Sequence, residues 1–517
     1  MKTLIQVDTF GAVDADNDDL LLECFEDHEA FTGVTDRSRF LVVGKKGSGK
    51  TAIFKRMLTT KRSNYFCFGH TFSDYPWHHH DLQARAGIPN FDKFTHSWKY
   101  LILLTASKII LNYDHSLPFD QVSMDLMVKV EKFIVDTYGT RDPDVTQIFT
   151  PSKTLKLKPH FDLDWKILKA GISPENVPMN ELPAIVQELN SNLLDCAIKC
   201  LNPDNEYYIC FDQLDLGFDP TSDDYKNRLI GLLLAARDIN IAARNAKKNL
   251  FVAVFLRDDI YETLHFEDKN KITENFLSLI EWDTPRTNKT LKSLMEKRFK
   301  VVMGGNPTWN DVFDETKEMP GHQSKYQHIL DRTYLRPRDI IKFTNSVLRQ
   351  YQAREKGRSV SAGMFENIDL HNARTEYSGY LINELDDEIH KHLPHYEKLV
   401  ELLRAIGVWQ FTFADFEKQY DANSDFQQKE TAKTILQELY EFSLIGFYRP
   451  GGRGYGGSEY VFKYKEPKTR FDPQAVRFRI HPGLIEVFGL KRFTVGAAEA
   501  DSGDQGMEEI LKSIKQE

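Results

Sequence analysis

Cysteine is scarce in this chain. Five thiols, Cys24, Cys67, Cys196, Cys200 and Cys210, are spread over 517 residues, mostly inside apolar runs. An odd handful of that kind fits reduced, buried thiols in a cytosolic protein better than a disulfide framework. No apolar run is long enough to span a bilayer. The longest, "YLILLTASKIIL" (100–111), is short and carries Lys108, so a buried helix is the better reading and no membrane role is expected. The opening "MKTLIQVDTFGAVDADNDD" soon turns acidic without an apolar centre, so it does not read as a signal peptide. Charge of one sign is also wanting. A net −9 provides no global field toward nucleic acid or membrane, so any such contact needs a local patch. Internal repeats are missing as well. With 41% hydrophobic and 28% charged residues the chain can bury real cores. Its length predicts about three domains at roughly 150 residues each.

Read along the chain, "NDDLLLECFEDHEAF" (17–31) predicts an acid-capped helix. "RFLVV" (39–43) predicts a short buried strand, "GKKGSGK" a glycine loop, "TAIFKRML" a helix and "YFCFGHTF" (65–72) the next strand. Residues 73–181 read as a mostly helical insertion, with helices near 97–111 and 119–138. A helix from about 181 to 201 leads to the strand "YYICF" (207–211), followed by a helix at 223–245 and the strand "NLFVAVFLR" (249–257). Strands separated by long helices indicate a parallel sheet. The expected domains are a nucleotide-binding domain (1–72 and 182–284), the insertion (73–181), a helical lid (285–375), a winged helix (378–495) and a flexible tail (496–517). The winged helix rests on three helical patterns in 395–446 followed by two strands around the glycine tip "PGGRGYGG".

The chemistry is concentrated at Gly44-Lys45-Lys46-Gly47-Ser48-Gly49-Lys50-Thr51, which matches G-x-x-x-x-G-K-[ST] in full. Glycines let backbone N–H groups wrap a phosphate chain, and the following helix points its positive end at the same anion. Lys50 then reaches the β and γ phosphates of ATP, and Thr51 offers a hydroxyl to Mg²⁺. Asp212, ending the strand in "EYYICFDQLDLGFD" (206–219), is the second candidate Mg²⁺ ligand. This site lacks a glutamate after that aspartate. Gln213 stands there instead, and the next acid is Asp215. Asp215 is the first candidate for positioning water and Gln213 the second, so slow hydrolysis is expected.

The order of phosphate loop, acid-ended strand, arginine-ended strand, arginine pair and winged helix resembles the AAA+-related STAND class of signalling ATPases. In layout it also resembles the initiator ATPases of replication origins. "FLVVGKKGSGKTAIFKRM", "FDQLDLGFD", "FLRDDIY" and "LRPRDIIKFTN" are similar to a family of bacterial P-loop ATPases with relatives among anti-phage defence genes; the likeness covers about 1–72 and 200–490. The resemblance implies an ASCE/AAA+-like P-loop NTPase fold. It implies that Arg257 reads the γ-phosphate and that Arg338, with Arg336 as runner-up, is a second sensor on the lid. It also places "FGAVDADND" (10–18) near the adenine. It points to a cytoplasmic sensor or regulatory ATPase in defence, a homo- or hetero-oligomer working with a separate effector encoded nearby.

The remaining candidates are weaker. His78, His79 and His80 read as a polar loop, and His390, His392 and His395 are too loosely spaced for a metal. Cys196 and Cys200, one helical turn apart, read as packing. Arg228, Arg237 and Arg244 read as solvated helix charges, and no arginine finger is identifiable. Arg449, Arg453 and Lys463 around the glycine tip are candidate nucleic-acid contacts. They define the alternative of an ATP-dependent DNA-binding loader or remodeller, against packing of the winged helix on the ATPase core or a partner.

Overall fold

The computed structural model describes residues 2–71, 90–116, 119–143, 182–215, 217–219, 221–358, 363–390, 392–393, 395–422, 431–451 and 457–491. The histidine run 78–80, Arg453, the lysine-rich stretch within 151–161 and the tail from 496 lie outside these residues. The chain divides into two compact units. A sheet unit comprises residues 27–45 and 50–280, and a helical unit comprises 1–26, 46–49 and 281–517.

The sheet unit is the expected α/β parallel sheet. Its first helix, α1 (Glu29–Thr35), is capped by the His28 side chain, which accepts from the Ala30 N–H. Strand β1 (Leu41–Gly44) leads into α2 (Lys50–Thr59), and β2 (Tyr65–Thr71) follows. Then come the helices α3 (Asn90–Asn112), α4 (Gln121–Tyr138) and α5 (Leu182–Cys200). Strand β3 (Glu206–Asp212), α6 (Asp223–Asn245) and β4 (Leu250–Arg257) complete the centre. The short helices α7 (Asp258–Thr263) and α8 (Lys269–Phe276) precede the edge strand β5 (Leu277–Leu279).

The strand order is β2-β3-β4-β1-β5, with every neighbouring pair parallel. All carboxyl ends therefore open on one edge, where ligands bind in open α/β sheets. Nearly every residue of β1, β3 and β4 is buried, as expected for strands covered on both faces. Residues 101–110 of α3 are buried throughout. Trp98 donates to the Arg228 carbonyl at 2.8 Å, and Lys99 pairs with Asp238 at 2.7 Å, which binds α3 to α6. No helix among the described residues is long and apolar enough to cross a membrane. The five cysteines are free thiols.

The helix expected over 17–31 is a correction. Residues 19–24 form turns, and the helix starts only at Glu29. The acids that looked like helix caps are engaged elsewhere. Asp18 accepts from the Ala12 and Leu20 N–H groups and pairs with Arg298 at 2.6 Å, while Glu26 meets Lys289 and Lys297.

The helical unit holds α9 (Leu291–Met303), α10 (Pro337–Glu355) and α11 (Asn367–Ile389), with short helical turns at Trp309–Val312 and Lys325–Leu330. Proline at the first turn fixes where α10 begins. The helices α12 (Tyr396–Ile406), α13 (Phe413–Asp421) and α14 (Ala432–Glu441) follow. Strands β6 (Gln410–Thr412), β7 (Ile445–Arg449), β8 (Glu459–Val461) and β9 (Arg477–Ile480) form an antiparallel sheet in the order β6-β9-β7-β8. The three helices and the β7–β8 hairpin lie where the sequence placed them. The three-residue β6 and four-residue β9 are too short to give a periodic signal. This sheet packs on the segment before α10. Tyr334 stacks on His481 with centroids 4.3 Å apart and donates to the Ser443 carbonyl at 3.2 Å, and Lys465 pairs with Asp331 at 3.2 Å.

The Asp18–Arg298 pair is almost fully buried, and Arg298 also donates to the Phe10 carbonyl at 2.8 Å. Removing one charge strands the other. Asp18→Ala is expected to destabilise the helical unit by about 3 kcal/mol in urea unfolding, whereas the paired change Asp18→Leu with Arg298→Met costs less than the single one. Equal stability of Asp18→Ala and wild type would show that the pair does not anchor the amino-terminal segment.

Candidate functional site

In the sheet unit the site assembles at the carboxyl edge. Gly44 is the register partner of Arg257 across β1 and β4, and Asp212 ends β3 on the other side of β4. Lys50 opens α2 and is half-buried. Its ammonium donates to the carbonyls of Gly44 at 2.7 Å and Lys45 at 2.9 Å. Burial drives the Lys50 pKa down, while Asp258, Asp212 and Asp215 pull it back up. Asp212 is 2% exposed, and burial pushes its pKa up to about 6. Hydrogen bonds from the Gln213 N–H and the Thr51 hydroxyl, and the charge of Lys50, act in the opposite direction.

One oxygen of Asp212, Oδ2, is buried without a hydrogen-bond partner. A hard carboxylate oxygen in that state, next to a hydroxyl, fits a Mg²⁺ ligand. Among the described residues no group of three or more His, Cys, Asp or Glu could hold a metal. The donor set is therefore a sparse one of carboxylate plus hydroxyl, the kind that Mg²⁺ uses together with substrate phosphates.

The two candidates for positioning water differ in setting. Gln213 sits at φ 55, in the left-handed region, where the chain leaves the strand sharply. Leu214 is pinned by the Tyr225 hydroxyl, which donates to its carbonyl. Asp215 is half-buried and takes a 3.3 Å contact from Arg257. Arg257 is held mainly by Asp259, through bonds of 2.6 and 3.0 Å. Asp258 and Asp259, within the string "FLRDDIY", are site residues the sequence reading passed over. Their signal was the pair of acids directly after the arginine-ended strand.

The loop residues Lys46–Gly49 belong to the helical unit. Gly47 lies at φ 76 and Gly49 at φ 111, conformations that a side chain resists. A Cβ on Gly47 would also stand 2.9 Å from the Arg338 side chain. Ser48 is buried with its hydroxyl unpartnered, and its carbonyl accepts from the Trp282 indole at 3.0 Å. Trp282 was not legible as a loop anchor, because 234 residues separate it from Ser48.

Arg338 pairs with Glu384 at 2.7 Å and donates to the Val13 carbonyl at 3.1 Å. Arg336 is 2% exposed and is locked by Asp339 at 2.9 Å and Glu388 at 2.6 Å, with a 3.2 Å bond to the Lys46 carbonyl. Lys46 in turn meets Glu384 and Asp387. Both arginines of "LRPRD" thus stand beside the loop residues 46–47, each with a carboxylate on α11.

Arg228 is a correction: it is 6% exposed, with its guanidinium over the Phe94 ring, rather than a solvated charge. Arg237 pairs with Asp238 and Asp268. On β7 Arg449 pairs with Glu459 and Glu466, and in the turn after β8 Lys463 pairs with Glu441.

Residues 289–386 match the FunZ-associated C-terminal helical domain. Over 521 residues the chain is 22% identical to a putative transposon gamma-delta 80.3 kDa protein of Escherichia coli strain K12, covering 95% of this chain and 68% of that protein. Among solved structures it is similar to a Walker-type ATPase of Pyrococcus abyssi, at 14% identity and a TM-score of 0.37 over 94% of this chain and 99% of that one. It is also similar to Cdc6p from Pyrobaculum aerophilum, at 12% identity and a TM-score of 0.27 over 88% and 89% of the two chains. At such scores neither structural likeness assigns a role to a residue here.

Asp212 yields a pH prediction. The fold binds its proton more tightly than the unfolded chain, so ionisation costs stability. The cost sets in above the ordinary value of 3.8 and is complete above about 6. Asp212→Asn is expected to stabilise the ligand-free protein at neutral pH by about 3 kcal/mol, with a smaller gain at pH about 4. Urea unfolding at the two pH values measures this, and a gain that does not shrink with acid would contradict it.

Proposed function

We propose that this protein binds Mg-ATP at residues 44–51 and hydrolyses it slowly, as a regulatory ATPase. The observation that carries the reading is the unpartnered, buried Oδ2 of Asp212. It lies beside the Thr51 hydroxyl and in the field of Lys50, at the carboxyl edge that also carries the phosphate-loop strand.

In this reading Lys50 exchanges its bonds to the Gly44 and Lys45 carbonyls for phosphate oxygens. Thr51 and Asp212 hold Mg²⁺, which when bound neutralises phosphate charge. Asp215 orients the attacking water with the oxygen that Arg257 leaves accessible. Arg257, opposite Gly44, moves between Asp259 and the γ-phosphate as a sensor. Arg338, over Gly47, serves as the second sensor, and the more deeply paired Arg336 holds the start of α10. Hydrolysis without a glutamate after Asp212 supports a switch rather than a fast motor.

The three helices and hairpin of residues 396–480 serve here as a winged helix that packs on its own unit. The carboxylate partners of Arg449 and Lys463, together with the Tyr334–His481 stack, favour that role over nucleic-acid contact. The cellular setting, a cytoplasmic defence sensor acting as an oligomer with a separate effector, rests on the resemblance of the four quoted strings.

Lys50→Ala should weaken ATP binding by about 100-fold in calorimetry. Asp215→Ala should keep ATP affinity while lowering hydrolysis at least about tenfold. Wild-type turnover in Asp215→Ala would transfer the water to Gln213, and undiminished binding in Lys50→Ala would remove the nucleotide reading altogether. Phage challenge of cells carrying the native locus tests the biological role. Protection that persists in Lys50→Ala would detach it from the ATPase.

A further inference from the structure

The opposite edge of the parallel sheet carries a second concavity. Phe40 leads into β1 and Leu250 opens β4, so both mark the amino-terminal edge, away from Gly44, Asp212 and Arg257. A cavity of about 340 Å³ lies there, where the chain leaves α1, turns from α6 into β4 and ends α8. Five cations line it, Arg37, Arg237, Arg244, Lys247 and Lys248, against one carboxylate, Asp36. In a chain with a net charge of −9 this local excess is not a matter of composition. The carbonyl ends of α1 and α6 meet here and attract cations, but each such contact contributes only about 0.3–1 kcal/mol. That is too little to gather five like charges.

Two of the cations are also held at a conformational cost. Arg37 at φ 62 and Lys247 at φ 55 occupy the left-handed position after a helix, where glycine is the ordinary residue and a side chain costs about 1 kcal/mol. Arg237 and Lys248 have protein partners, and Arg37 reaches the Tyr208 hydroxyl at 3.4 Å. Arg244 and Lys247 have no ion pair among the described residues. Phe276 contributes a half-buried ring to a phenylalanine wall whose other members, Phe40 and Phe251, are buried, with Phe40 and Phe276 5.6 Å apart between centroids.

We propose that this cavity binds a small phosphate ester with a planar or apolar group, of nucleoside monophosphate size. Its phosphate sits between Arg244 and Lys247, and its organic part lies against the phenylalanine wall. Guanidinium and ammonium groups match a phosphate dianion, and the volume lies at the small end of the range for ligand pockets. The site is separate from the phosphate loop and stands whether or not that loop binds ATP.

The test uses full-length Lys50→Ala protein, which silences the phosphate loop, and calorimetry without Mg²⁺ with AMP and inorganic diphosphate as probes. Saturable AMP binding is expected, tighter than that of diphosphate and weakened at least about tenfold by adding Arg244→Glu and Lys247→Glu. An unchanged unfolding midpoint shows that this variant is folded; should it not fold, Arg244→Gln with Lys247→Gln replaces it. The proposal is overturned if neither probe binds saturably at millimolar concentration, or if binding is undiminished in the charge variants. It is also overturned if a single-stranded oligonucleotide binds through the same two residues more tightly than AMP, which would make the patch a nucleic-acid contact.

Discussion

A carboxylate at the end of a parallel strand, walled off from water, is costly to ionise unless a cation or a metal stands near it. Asp212 is such a group, and the lysine that opens α2 is the charge that tempers it. The arrangement depends on strand direction. Because β1, β3 and β4 run the same way, the glycine loop after one, the acid at the tip of another and the arginine at the tip of the third share an edge. An antiparallel neighbour would have carried the acid or the arginine to the far side. The burial that makes Asp212 expensive also leaves one of its oxygens without a donor, which suits it to a cation.

The four cations proposed to meet phosphate are already engaged within their own units. Lys50 lies on the Gly44 and Lys45 carbonyls, Arg257 on Asp259 and Asp215, Arg338 on Glu384, and Arg336 on Asp339 and Glu388. A buried cation needs such partners, since an uncompensated charge would cost several kcal/mol. A phosphate arriving at Lys50 or Arg257 therefore replaces existing bonds instead of filling a free charge. Its net gain is the difference between two well-satisfied arrangements. In the proposed reading that is the energetic form of a switch, in which modest differences between two states decide the outcome.

The helical unit shows the same economy with charge. Its hairpin arginine and lysine face glutamates of neighbouring elements, and Tyr334, Tyr464 and His481 form an aromatic cluster between the start of α10 and the carboxyl-terminal sheet. A sequence reading registers Arg449 and Lys463 as a basic patch, because Glu441, Glu459 and Glu466 become their neighbours only after the strands pair.

How much was legible in the sequence differs by feature, for a common physical reason. The phosphate loop, the long helices and the buried strands are local: glycine freedom, apolar runs and helical periodicity are written in consecutive residues. By themselves they determined the α/β class, the loop and Asp212 as the acid at a strand tip. The helix misplaced at 17–31 had a correct local pattern, and it was overruled because Asp18 and Glu26 found cations some 260–280 residues away. Only the tertiary structure decided which partner each charge takes: Trp282 on Ser48, Asp259 on Arg257, α11 carboxylates on the arginine pair, and five cations around one cavity. Those choices depend on distances between residues far apart in the chain, and burial makes each of them binding by removing the water that would otherwise have served.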